Sequence, residues 1–142
     1  MLDTTLVLPT YNESLNISSL LPAVKTLGCY VIIVDDNSPD NTAEVAREFE
    51  DEFTRGVVRK NERGLGSAIR YGASLASTPW VAVMDTDGQH LPDDMSRILE
   101  VHQSSPNCEL VIGSRYVDNG SSEGLSLYRR LGSRTLNCIA GV

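Results

Sequence analysis

Cysteine is scarce and scattered: Cys29, Cys108 and Cys138 are three in 142 residues, with no C-x-x-C spacing. That argues against a disulfide framework or a structural zinc site and fits a reducing, cytoplasmic compartment. Basic residues are also outnumbered, 12 Lys plus Arg against 19 Asp plus Glu, for a formal charge of −7. Generic nucleic-acid binding needs a basic face, so no nucleic-acid partner is expected. No apolar run approaches the roughly 20 residues of a membrane span. The opening MLDTTLVLPTYNE has no basic leader region, so the chain is not expected to be secreted. The sequons at Asn12, Asn16 and Asn119 then carry no meaning. Ser67 and Ser114 stand in no nucleophile elbow, which discounts covalent hydrolase chemistry. The glycines of Gly64-Leu65-Gly66 precede no G-K-[ST], and Ile69 occupies the third position of a G-x-G-x-x-G.

What remains is ordinary globular material, 41% hydrophobic and 22% charged, long enough for one domain with a real core. The charge is uneven. Residues 1–114 hold 8 basic and 17 acidic groups, while 115–142 hold 4 and 2. Strand-like and helix-like segments alternate along the chain. Strands are expected at Thr4–Pro9, Tyr30–Val34, Gly56–Arg59, Trp80–Met84 and Glu109–Gly113. Helices are expected after Asn12 as N-cap, over about 42–52, 65–76 and 92–104, and over 127–139. Asn41 and Glu44 have the spacing of a capping box. Trp80 reads as core. Such alternation implies an α/β fold with a mainly parallel sheet, and such sheets bind ligands at the carboxyl ends of their strands. Three polar motifs fall there: PTYNE, DDNSPDN and DTDGQH.

Asp85 and Asp87 flank Thr86 at the end of a strand. Two carboxylates so close repel each other unless a cation lies between them. A hard divalent ion such as Mg²⁺ or Mn²⁺ suits these oxygens, and Gln89 adds an amide oxygen. The plain alternative is a loop cap. One of Asp35 and Asp36 could accept hydrogen bonds from a ribose or base, or both could serve the turn, as Ser38, Asp40 and Asn41 are expected to. Tyr11 offers a face for a flat base and Glu13 a polar contact, unless Asn12 and Glu13 simply open the first helix. Arg59, Lys60 and Arg63 precede the third helix, where Gly64 and Gly66 permit close backbone approach. Arg115, Arg129, Arg130 and Arg134 supply guanidinium forks suited to phosphate oxygens. His90 lies within reach of the D-x-D turn as a neighbour rather than a reacting group.

Taken in order, LVLPTYNESLNI, IIVDDNSPDNTAEVA, NERGLGSAIRYG, VAVMDTDGQHLPDDM, LVIGSRY and RRLGSR resemble the family 2 glycosyltransferases of the dolichol-phosphate (polyprenol-phosphate) mannosyltransferase branch. The resemblance implies a GT-A, Rossmann-like fold in a single domain, with a donor part at about 1–115 and the start of an acceptor side at about 116–142. It implies metal-dependent, inverting transfer of a sugar, typically mannose from GDP-mannose, to a polyprenyl or dolichyl phosphate. Pro9, Tyr11, Glu13, Val34 and Asp36 would contact the nucleotide. Asp85, Thr86 and Asp87 match the D-x-D, whose aspartates, with Gln89, hold Mg²⁺ or Mn²⁺ on the diphosphate. Asp87 and Arg115 would act at the reacting phosphates, and Arg115, Arg129 and Arg130 would receive the lipid phosphate. Contact with the cytoplasmic face of a membrane is then expected to be peripheral. Chains of that branch continue for about another half-length, so this chain is expected to be short on its acceptor side. A nucleotide-sugar-binding fragment, or a half requiring a partner chain, is the rival expectation.

Overall fold

The computed structural model describes residues 3–105 and 107–114. Within them the order is β1 (Thr4–Thr10), α1 (Ser14–Lys25), β2 (Tyr30–Asp35), α2 (Thr42–Glu48), β3 (Thr54–Val58), α3 (Leu65–Ser74), β4 (Trp80–Val83) and α4 (Pro92–Ser104). The four strands are parallel in the order β3-β2-β1-β4. β1 and β2 are interior strands, so their runs are apolar on both faces rather than alternating. All seven residues of β1 are buried.

Parity divides the core. Leu6, Leu8, Val31 and Ile33 meet Ile17, Leu20, Leu21 and Val24 of α1, with Ala46 of α2 and Met95 and Leu99 of α4. Val7, Ile32 and Val34 face the other way, onto Ala68 of α3. Helix α3 rides close to the sheet there. A Cβ added at Gly72 would lie 2.5 Å from Val7 Cγ1 and 3.1 Å from Val34 Cγ2, so the glycine makes that approach possible. Pro9 is tolerated inside β1 because the β4 ladder has already ended at Val7↔Val83.

Several expectations need correction. Residues 109–113 form no strand; Leu110 and Ile112 are exposed there, and no strand among the described residues gives them a ladder. Helix α2 stops at Glu48 rather than about 52. Lys25 donates to the Phe49 carbonyl at 2.9 Å and pairs with Asp51 at 2.6 Å, holding the chain in a turn before β3. Trp80 is half-buried, its ring edge-on to His102 at 4.3 Å. Among the described residues β4 is an edge strand, and α3 lies over β1 and β2, leaving Val81 and Val83 exposed. The fifth helix expected at 127–139 lies outside the described residues.

Candidate functional site

The carboxyl ends of β1, β2 and β3 carry a rim of loops bound to one another through side chain to backbone hydrogen bonds. Asn12, Asn37 and Asn41 all have positive φ, between 57° and 65°, a conformation asparagine accepts more readily than most residues. The turns they make bring the loop after β1 against the loop after β2. The Asn12 N–H donates to Ser38 Oγ at 2.9 Å and the Glu13 N–H to Thr42 Oγ1 at 3.0 Å. Asp40 joins two helices: Oδ2 accepts from the Ser14 N–H and Oδ1 from the Thr42 N–H, each at 3.1 Å. Those are first-turn donors of α1 and α2, groups that helices leave unpaired. The expected capping box is therefore absent. Asn41 holds the N-cap position of α2 but makes no side-chain cap bond, and Asp40, one residue earlier, supplies it. Likewise Glu13, not Asn12, is the N-cap of α1.

Partial burial pushes the Asp40 carboxyl upward in pKa, but hydrogen bonds from Thr42 and Ser14 together outweigh it and the net shift is downward from 3.8. A depressed folded value means this stabilisation is complete above the unfolded value and is lost as pH falls through the folded one. Asp40→Ala is expected to cost about 1–2 kcal/mol near neutral pH. In urea unfolding the gap between wild type and variant should narrow below pH about 4; a gap independent of pH would contradict the assignment.

Asp35 turns inward. It is buried and accepts from the Ser38 N–H at 3.0 Å, from Ser38 Oγ, and from Thr10 Oγ1 at 3.4 Å. Asp36 is buried too, held by Arg59 and by the Gly64 N–H at 2.8 Å. Beside it opens a cleft of about 240 Å³ lined by Pro9, Thr10, Tyr11, Asp36, Arg63, Gly64, Leu65 and Ala68. The Arg63 guanidinium sits 4.9 Å over the Tyr11 ring, a cation–π contact at the edge of this space. Of the residues expected at a nucleotide, Pro9, Tyr11 and Asp36 line the cleft. Val34 is fully buried near Gly72, and Glu13 caps α1 while accepting from Asn16 Nδ2.

The D-x-D turn adjoins the cleft through Thr86, which is buried and donates from Oγ1 to the Pro9 carbonyl at 3.3 Å. That bond ties the end of β4 to a cleft wall. Asp87 Oδ1 accepts from the Gln89 N–H at 3.0 Å around Gly88, whose φ is +78°. His90 Nδ1 accepts from the Asp85 N–H at 3.3 Å and closes the turn. The Asp85 and Asp87 carboxylates and the Gln89 amide are hard oxygen groups, of the kind a divalent ion prefers. Among the described residues no group of three or more His, Cys, Asp or Glu could hold a metal. An ion placed at this turn would need ligand phosphates and water to complete its coordination. Arg115, Arg129, Arg130 and Arg134 lie outside the described residues.

The sequence profile of glycosyl transferase family 2 matches residues 5–138. The chain belongs to that family. A dolichol-phosphate mannosyltransferase of Pyrococcus furiosus is 36% identical over 135 residues, covering 92% of this chain and 38% of the relative. A polyprenol monophosphomannose synthase of Mycolicibacterium smegmatis is 32% identical over 143 residues, covering 94% of this chain and 53% of the relative. This family 2 chain thus spans about half or less of the length of these relatives. Among solved structures, mannosyl-3-phosphoglycerate synthase from Rubrobacter xylanophilus superposes with a TM-score of 0.54 at 20% identity, over 62% of this chain and 31% of that one. That likeness concerns the fold, and agrees with the α/β arrangement of GT-A type expected from the sequence.

Sequence reasoning noticed Arg59 and Arg63 without giving them a place. The available signal was position: both follow β3 at its carboxyl end, where the parallel sheet gathers its ligand-facing loops.

Proposed function

We propose that the chain carries the donor side of a transferase that moves mannose from a nucleoside-diphosphate sugar, GDP-mannose, to a polyprenyl or dolichyl phosphate. The observation that carries this is the union of two features at one sheet edge. The cleft between Tyr11, Asp36 and Arg63 adjoins the Asp85–Asp87 turn through the Thr86–Pro9 hydrogen bond. A base and ribose need an aromatic face and acceptors; a diphosphate needs charge compensation. The names of the two relatives supply the sugar and the acceptor class.

In this reading Tyr11 and Pro9 flank the base, Asp36 offers an acceptor, and Asp85, Asp87 and Gln89 would hold Mg²⁺ or Mn²⁺. Such an ion, when bound, neutralises charge on a diphosphate leaving group. The acceptor phosphate oxygen attacks the anomeric carbon in line and inverts it as the bond to the diphosphate breaks. A phosphomonoester has its second ionisation at roughly pH 6, so near neutrality it is already mainly dianionic and needs no dedicated base. The protein's work is positioning and electrostatics. Arg115, Arg129 and Arg130 are assigned to the acceptor phosphate on sequence grounds. A lipid acceptor puts the reaction at a membrane surface, by peripheral contact on the cytoplasmic face; no helix among the described residues is long and apolar enough to cross a bilayer.

A second reading, donor binding without transfer by this chain alone, follows from its covering 38% and 53% of the two relatives. One assay separates them: transfer of labelled mannose from GDP-mannose to polyprenyl phosphate with Mg²⁺ or Mn²⁺. Labelled lipid product is the expected result. Donor binding without product would leave only the second reading, pending a partner chain or further sequence.

A further inference from the structure

Arg59 does not line the cleft, yet it is buried to 5% side-chain exposure against Asp36, itself at 8%. Its Nε and Nη2 both donate to Asp36 Oδ1, the former at 2.7 Å. Its Nη1 donates to Ser67 Oγ at 3.0 Å on α3, and more weakly to Glu62 at 3.4 Å. Its Nη2 also reaches the Gly64 carbonyl at 3.4 Å, while the Gly64 N–H returns to Asp36 Oδ2 at 2.8 Å. The backbone closes the loop, since the Arg59 N–H donates to the Asp35 carbonyl at 2.8 Å.

Burying two charges is expensive, and a well-packed apolar pair of similar volume is often as stable. What an apolar pair cannot do is direct a carboxylate. Here both donors to Oδ1 come from one rigid fork, and among the described residues Oδ2 has a single protein donor, the Gly64 N–H. A carboxylate has about four acceptor sites, so Oδ2 keeps capacity for a further donor on a residue that lines the cleft. The same guanidinium pins Gly64 and Ser67, the hinge from which Arg63 reaches over Tyr11. Gly64 has φ +120°, a conformation that residues with side chains rarely adopt, so this turn calls for glycine.

We propose that Arg59 is a positioning residue of the donor cleft, setting the direction of the Asp36 carboxylate and the seat of the Gly64 hinge, and thereby the affinity for the donor's nucleoside. The proposal rests on the donor reading above. Lysine keeps the charge and loses the fork, so Arg59→Lys separates geometry from charge.

The test is calorimetric titration of GDP and of UDP, with Mn²⁺, into the purified chain. Arg59→Lys is expected to weaken whichever nucleotide binds by roughly tenfold or more, the size of a lost hydrogen bond to a charged group. Ser67→Ala, which keeps the ion pair and removes one anchor, should weaken binding about threefold. Leu99→Ala, in the core on the opposite sheet face, is the control for stability: its melting temperature should drop with nucleotide affinity unchanged. Wild-type affinity in folded Arg59→Lys or Ser67→Ala would overturn the proposal alone. So would an affinity loss in Leu99→Ala that matches its loss of melting temperature, because that would make Arg59 merely structural. A wild-type chain that binds neither nucleotide would overturn the donor reading and this inference with it.

Discussion

Asp87→Ala is expected to abolish the proposed metal-dependent donor binding and to lower the proposed mannosyl transfer at least a hundredfold. The magnitude follows from charge. A divalent ion at a departing diphosphate is worth several kcal/mol, and each 1.36 kcal/mol is about a factor of ten in rate. Asp87 supplies one of the two carboxylates on the turn, and the described residues offer no third acidic or imidazole ligand to compensate. The side chain also accepts the Gln89 N–H at 3.0 Å, so a lost turn must be told apart from a lost ligand. Asp87→Asn does this, because asparagine forms the same turn without the charge. Both variants should bind GDP equally with and without Mn²⁺, whereas wild type should bind more tightly with the ion. If Asn retains the metal-dependent increment, the turn matters and the coordination does not.

The second large effect is expected at Gly72→Val. Helix α3 can lie where it does only because nothing projects from Gly72 toward the sheet; the nearest atom to an added Cβ, Val7 Cγ1 at 2.5 Å, belongs to a fully buried side chain on the central strand. Val7 is β-branched and stiff at χ1, so the helix must move. Overpacking of this kind costs about 1–3 kcal/mol or more, and the small helix-propensity gain over glycine does not offset it. A fall in melting temperature on the order of ten degrees is expected, with weaker nucleotide binding, since Leu65 and Ala68 on the same helix line the cleft. Gly72→Ala should lose less, because alanine is the better helix former by about 1 kcal/mol. An unaltered melting curve for the valine variant would show that α3 can shift freely.

These two sites differ in how far they could be read beforehand. Asp87 declared itself through a short acidic motif at the end of an apolar run. Gly72 did not, because a glycine in a helical segment has no pattern that tells close packing from a weak point. The interior strands were legible for a physical reason: TTLVLPT and YVIIVD are buried on both faces, so their apolar content is continuous. Strand β4 was equally legible as a strand, but WVAV has the same apolar composition while lying, among the described residues, at an edge with Val81 and Val83 uncovered. Residues 109–113 have strand-forming composition without a ladder among the described residues, and pairing is a tertiary property that composition does not encode. Arg59 was visible only as one of three basic residues before a helix. Its burial depends on Asp36 arriving from the loop after β2, 23 residues away. The D-x-D turn and the cleft beside it were each foreseeable as strand-end features, but the Thr86–Pro9 bond joining them spans 77 residues.

The bond that the Ser14 N–H donates to Asp40 specifies strand register as well as capping a helix. Its two ends are 26 residues apart, and the companion bonds that the Asn12 and Glu13 N–H groups donate to Ser38 and Thr42 span 26 and 29. All of them require β1 and β2 in the register observed, Thr5↔Tyr30 to Thr10↔Asp35. A slip of one residue would turn Leu6 and Leu8 to the opposite face and carry Asp40 away from Ser14. The rim bonds thus add to the native pairing alone and widen its energy gap over a slipped one.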